Sequence, residues 1–196
     1  ALPILKFMNM TYPLKDKKQI DMVKLYLKSK SIRNYLLFTL GISSALRISD
    51  ILRLTVSQLY DGHKATDFID VKEKKTGKSK RFATSPNLQK AIKEFIKEYK
   101  PEQNEYVFSS RKGTNKPITR QRAVQVLTEA LDMCGLSNIN FGSHGMRKTF
   151  AYHCWKNGTD ITYLMRILNH SSQKEVLRYI SVEQEELDDI YVNLNL

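Results

Sequence analysis

Phe68-Ile69-Asp70-Val71-Lys72-Glu73-Lys74-Lys75-Thr76-Gly77-Lys78-Ser79-Lys80-Arg81-Phe82-Ala83-Thr84 marks where the chain changes period. Phe68 to Val71 and Arg81 to Thr84 read as strands, and the turn between them carries Gly77, the residue that a positive φ would want. Thr55 to Leu59 is a candidate third strand. On either side the spacing is helical. Ile20, Val23 and Leu27 recur on one face of a helix over 17–28, and the apolar run 32–42 predicts a second helix packed against it. Ser49 reads as the N-cap of a short turn over 50–54. Ser85 with Pro86 opens a helix to about Tyr99, and Thr119 caps another to about Cys134. Ser143 is expected to cap a helix that runs to about Lys156, where Gly158 is a stop signal, and Asp160 starts one more. A helical turn is predicted over 174–180 and a short acidic helix over 183–191. Helices around a small antiparallel sheet, with no alternation of strand and helix, predict a mainly helical α+β fold.

At 196 residues and 41% hydrophobic content the chain can bury a core without disulfides or metal. Cys134 and Cys154 lack the spacing of metal ligands, so buried reduced thiols and a cytoplasmic setting are expected. The longest apolar run, 35–42, is too short to span a bilayer. Because the chain opens with Ala rather than Met, it reads as a fragment of a longer protein.

The net charge of +12 is unevenly placed. Residues 72–81 hold six bases (Lys72, Lys74, Lys75, Lys78, Lys80, Arg81) and one acid, Glu73. Arg111, Lys112, Lys116, Arg120 and Arg122 form a second cluster without acids, whereas 183–196 carry five acids and no base. Such a field favours a polyanion, nucleic acid being the commonest.

Within this frame lie groups suited to phosphodiester chemistry. In Leu46-Arg47-Ile48-Ser49-Asp50 a guanidinium between apolar residues needs an anion, either Asp50 or a phosphate. His144 and Arg147 would share the N-terminal end of a helix, where free N–H groups attract anions. Taken alone, His-x-x-Arg is weak, and a capping histidine beside a surface arginine would give it too. His170, in Leu168-Asn169-His170-Ser171-Ser172, follows His144 by 26 residues, and Tyr179 follows His170 by nine. Tyr163 and Tyr191 lie among apolar neighbours that suggest packing.

Order and spacing together resemble the catalytic domain of the tyrosine recombinases, the phage-integrase and Xer family of DNA strand-exchange enzymes. The resemblance implies Arg47, Lys75, His144, Arg147, His170 and Tyr179 as catalytic residues, with Asp50 bracing Arg47. Lys75 of Lys-Thr-Gly matches the hairpin lysine of the family, with Lys78 as the alternative. Asn169 stands where the family has Gly, and Asn also tolerates the left-handed conformation. The remaining bases of the two clusters would bind DNA backbone. Also implied are a single catalytic domain over 1–196, its core at about 11–182 and its tail at 183–196, and N-terminal arm-binding and core-binding domains outside this chain. Its partners would be a double-stranded attachment site, a synaptic homotetramer that forms from a monomer, and accessory DNA-bending or excision factors. Neither metal nor other cofactor is expected, and the acidic tail could dock in cis or in trans. A type IB topoisomerase or hairpin-resolving enzyme shares this chemistry, and a helical DNA-binding module without activity would show the basic clusters alone.

Overall fold

The structure, a computed structural model, describes residues 10–110, 113–182 and 184–194. Along the chain run α1 (Lys17–Lys30), α2 (Ile32–Ser44), α3 (Ile48–Ile51), α4 (Val56–Leu59), β1 (Phe68–Lys72), β2 (Ser79–Ala83), α5 (Pro86–Tyr99), α6 (Arg120–Met133), α7 (Gly145–Lys156), α8 (Ile161–Leu168), α9 (Gln173–Tyr179) and α10 (Gln184–Leu194). Local chemistry sets most boundaries. Asp16, Ser31, Ser85, Thr119, Asp160 and Ser172 each accept a backbone N–H of the helix they open. β1 and β2 pair antiparallel from Phe68↔Ala83 to Lys72↔Ser79, and Gly77 in the turn has φ 67°.

Three local readings are corrected. Thr55 to Leu59 is not a third strand: Thr55 and Gln58 form a capping box that starts α4, leaving one isolated bridge from Thr55 to Tyr106. Ser49 lies inside α3, whose N-cap is Arg47. Ser143 does not cap α7; its Oγ accepts from Arg120 Nη2 at 2.9 Å, and His144 takes the N-cap position without a side-chain cap bond.

Helix α2 is the centre of the main core, with Leu36, Leu37, Phe38 and Leu40 fully buried between α1, α5 and α7. Gly41 permits the approach of α7, since a Cβ there would lie 2.2 Å from Met146 Sδ. A second apolar cluster of Ala45, Ala151, Tyr152, Leu164, Leu168, Val176 and Ile180 binds α7, α8 and α9 together. That cluster carries the C-terminal candidate residues to the end of α2. The acidic tail packs on its own chain: Glu186 pairs with Lys15 and accepts from the Tyr152 hydroxyl at 3.4 Å, and Asp189 lies 3.6 Å from Lys156. Cys134 and Cys154 are half-buried free thiols, and burial raises the pKa of both. Among the described residues no helix is long and apolar enough to cross a membrane.

Candidate active site

Two helix ends meet at the site. Both α2 and α8 stop at a left-handed residue, Ala45 (φ 53°) and Asn169 (φ 55°), and these abrupt stops deliver Arg47 and His170 to one place. Left-handed geometry at a non-glycine residue costs about 1–2 kcal/mol, so something must hold it. The buried guanidinium of Arg147 does: Nη1 donates to Ala45 O at 2.8 Å and Nη2 to Leu168 O at 2.7 Å. Each terminal nitrogen keeps a second N–H for a ligand.

Tyr179 ends α9, a seven-residue helix opened by Ser172. Its hydroxyl lies 3.3 Å from His144 Nδ1, and its ring stands edge-on to His170 with centroids 4.8 Å apart. Lys148 places its ammonium 5.1 Å from the centre of the same ring. Burial pushes the Tyr179 hydroxyl to higher pKa, and the charges of Arg147 and Arg47 hold it back. Burial and the surrounding cations, Arg147 foremost, keep His144 below the ordinary histidine value. His170 is lowered as well, chiefly by burial, although Glu175 at 3.9 Å opposes this.

Arg47 is not braced by Asp50. Its Nη1 lies 3.0 Å from Glu73 Oε2, without the alignment of a hydrogen bond. Asp50 turns instead to the hairpin and accepts the backbone N–H of Lys74 at 2.9 Å. The reason is local: Arg47 is the extended N-cap of α3, while Asp50 sits inside that helix and points along it to the turn. Arg47 Nη1, His170 Nδ1 and Asp50 Oδ2 are buried without a hydrogen-bond partner. A phosphate oxygen would satisfy Arg47 Nη1, and also His170 Nδ1 in the tautomer that carries its proton there.

The structure thus brings Arg47, His144, Arg147, His170 and Tyr179 together. Lys75 is exposed at the hairpin tip, and Lys78 Nζ lies 3.4 Å from Asn169 Oδ1. Lys72, Lys74, Lys116, Arg120 and Arg122 are exposed, as phosphate-binding groups should be. Arg81 is exposed but forms a bidentate pair with Asp70, at 2.8 Å for both contacts. Lys80, expected on the DNA-binding face, turns its ammonium inward to backbone carbonyls. Arg111 and Lys112 lie outside the described residues. Tyr163 and Tyr191 are 60% and 78% exposed rather than packed. Glu73, Lys148 and Glu175 were not singled out from sequence. Glu175 was readable, because Ser172-x-x-Glu175 has the form of a capping box.

Comparison with known proteins agrees with this geometry. The phage integrase family model matches residues 15–186. A probable integrase/recombinase of Bacillus subtilis, YoeC, is 42% identical over 178 residues, covering 91% of this chain and 93% of YoeC. Tyrosine recombinase XerC of Staphylococcus epidermidis is 24% identical over 169 residues, covering 84% of this chain and only 54% of XerC. Among solved structures, XerA recombinase superposes with a TM-score of 0.77 at 19% identity, over 100% of this chain and 70% of that one. XerH recombinase bound to its difH substrate superposes with a TM-score of 0.70 at 18% identity, over 93% of this chain and 53% of that one. With the family model spanning most of the sequence and YoeC matched along nearly its whole length, the chain belongs to the phage integrase family of tyrosine recombinases.

Proposed function

We propose that the chain cuts and rejoins DNA at a specific duplex site through a covalent bond to Tyr179. The observation that carries this is the Tyr179 hydroxyl 3.3 Å from His144 Nδ1, beside two buried nitrogens without a hydrogen-bond partner, Arg47 Nη1, which faces Glu73 as an ion pair, and His170 Nδ1. His144 Nδ1 accepts the phenolic proton as the oxygen attacks phosphorus. Arg47, Arg147 and His170 hold the non-bridging oxygens and offset the charge that grows on them. The bond to the 5′-oxygen breaks, that oxygen takes a proton from Lys75, and a 3′-phosphotyrosine remains. Attack by another 5′-hydroxyl reverses these steps and completes the exchange without ATP. Exchange between two duplexes cuts four strands, one tyrosine each, so the working assembly is a tetramer of monomers on DNA. The setting is the bacterial cytoplasm, on the nucleoid, in integration or excision of a phage or other mobile element with accessory bending or excision factors. The whole chain acts as one catalytic domain, its tail included.

A pool of random-sequence duplexes, each nicked so that cleavage is irreversible, tests the reading. Protein incubated with this pool in excess EDTA, then denatured, should retain DNA covalently, and the retained members should share a sequence. Absence of any adduct would overturn the proposal.

Lys75→Ala should slow cleavage about 10²-fold or more, the scale of a lost general acid. A substrate with sulfur at the bridging 5′ position needs no proton on its leaving group and should recover the rate. If Lys78→Ala shows this pattern instead, the acid lies three residues along the turn.

The pH dependence has a definite sign. His144 accepts a proton only when neutral, and its pKa is held below 6.5, so the acid limb of the cleavage rate should fall below that pH. His144, His153 and His170 are all lowered in the fold, so the unfolded chain binds more protons between their folded values and 6.5. Stability should be complete above that window and decline as pH falls through it. Thermal unfolding in steps from pH 7.5 to 5 checks this, and a melting temperature that rises on acidification would contradict it.

A further inference from the structure

Lys80 leaves the basic run of the hairpin and enters the site. From β2 its ammonium donates to Ser44 O at 3.4 Å and Ile167 O at 3.3 Å. Arg147 donates to the very next carbonyl of each segment, Ala45 O and Leu168 O. Two cations from different elements therefore grip consecutive carbonyls at the ends of the same two helices, α2 and α8. Those ends carry partial negative charge and unpaired carbonyls, which explains the preference for cations there. Just beyond them stand Arg47 and His170, two residues and one residue past the left-handed stops at Ala45 and Asn169.

We propose that Lys80 is a positioning residue, which clamps the C-terminal ends of α2 and α8 to the hairpin and so sets Arg47 and His170 in register for the phosphate. The inference rests on the strand-cleavage reading, with Tyr179 as nucleophile. Two of the three N–H groups of the Lys80 ammonium are directed at these carbonyls, so its place is at the helix ends rather than at the leaving group. Arg147 cannot do the same work alone, since it reaches one carbonyl per helix and must also serve the phosphate. Burial and the neighbouring Arg147 and Arg47 lower the Lys80 pKa to about 8, against the opposing pull of Glu73 and Asp50. The clamp thus holds charge at neutral pH and loses it as pH rises past about 8.

The test uses the whole chain with Lys80→Met, which keeps the methylene stem, and Lys80→Arg, which keeps the charge. Single-turnover adduct formation is measured on nicked duplex with oxygen or sulfur at the bridging 5′ position, alongside amide exchange of the DNA-free protein. For Lys80→Met, adduct formation should fall on the order of 10-fold to 10²-fold, the scale of a displaced catalytic group. The loss should be equal on both substrates, with DNA affinity unchanged and faster exchange at 45–47 and 169–171. Lys80→Arg should retain most of the rate and carry the alkaline limb to higher pH, which a merely structural side chain would not do. Rescue of Lys80→Met by sulfur would make Lys80 the proton donor and overturn the proposal, as would unchanged exchange together with an unchanged rate. If Lys80→Met does not fold, Lys80→Gln is read by the same measures. A wild-type protein that forms no adduct would sink the cleavage reading, while the exchange comparison would still decide the clamp.

Discussion

Tyr179→Phe should abolish the covalent DNA adduct while leaving fold and DNA binding in place. The change removes one oxygen and keeps the ring, whose edge-on contact with His170 and position beneath the Lys148 ammonium do not need the hydroxyl. The hydroxyl is hydrogen-bonded to Arg147 and to His144 Nδ1, and the latter bond is long at 3.3 Å and worth about 1 kcal/mol. For a domain of this size that is a shift of about 2–4 °C in melting temperature. Loss of the nucleophile is complete by contrast, since no neighbouring group can replace the phenolic oxygen in the bond to phosphorus. Tyr163 and Tyr191 are open to solvent, where neither has the buried histidine and arginine donors that Tyr179 has. Mass spectrometry of nuclease-trimmed wild-type adduct should place the nucleotide on Tyr179. A phosphotyrosyl mark on another residue, or an adduct that forms only with Mg²⁺, would refute the assignment.

What the sequence disclosed was mostly local. Side chains that accept an N–H within three residues can be read one segment at a time, and Ser85, Thr119 and Asp160 cap the helices they were expected to cap. The hairpin was legible because Gly77 supplies the positive φ between two short strands. Asn169 adopts the left-handed conformation for which its short side chain suits it. The five candidate residues other than Lys75 that the structure brings together were legible as a set through the family resemblance that their order and spacing carry, although periodicity alone does not show that α2 and α8 end side by side. Partner choices between distant segments were not legible. Arg47 had a carboxylate three residues away in Asp50, yet it pairs with Glu73, a lone acid hidden in a run of bases. Lys80 looked like five of its neighbours in composition, and only the pleat of β2 decides that its ammonium turns inward. Thr55 to Leu59 was ambiguous because a run of five residues fits either period, and the Gln58 side chain settled it as a helix.

These long-range pairings also explain how so many cations coexist in one place. Burial first, and then the repulsion among Arg47, Lys80 and Arg147, lowers the pKa of Lys80 and of Arg147. Glu73, Asp50 and four backbone carbonyls at two helix ends offset that repulsion. The cluster is consequently held together by the chain's own groups, with Arg47 Nη1 and His170 Nδ1 buried and lacking a hydrogen-bond partner.

Arg147→Lys should reduce adduct formation by about 10²–10³-fold even though the charge is kept, the scale of one lost transition-state donor. The guanidinium is buried and has three tasks: the carbonyl of Ala45, the carbonyl of Leu168, and the region around the Tyr179 oxygen, whose pKa its charge restrains. A planar fork with five N–H groups can meet all three at once, whereas an ammonium is a point with three donors on a differently placed stem. Lysine would leave at least one buried carbonyl unpaired, at about 1–3 kcal/mol, and the melting temperature should fall by about 2–12 °C. Adduct formation measured well below the melting temperature of the variant separates the missing rate from unfolding. Without its anchor on Leu168 O, the turn that carries His170 also loses its fixed distance from Tyr179, which compounds the loss of the phosphate contact. Lys80→Met separates the two effects, because it weakens the same helix ends without touching the phosphate donors, and it should cost less rate than Arg147→Lys. Near wild-type cleavage by Arg147→Lys would show that this guanidinium is a structural staple alone and that the phosphate is held elsewhere.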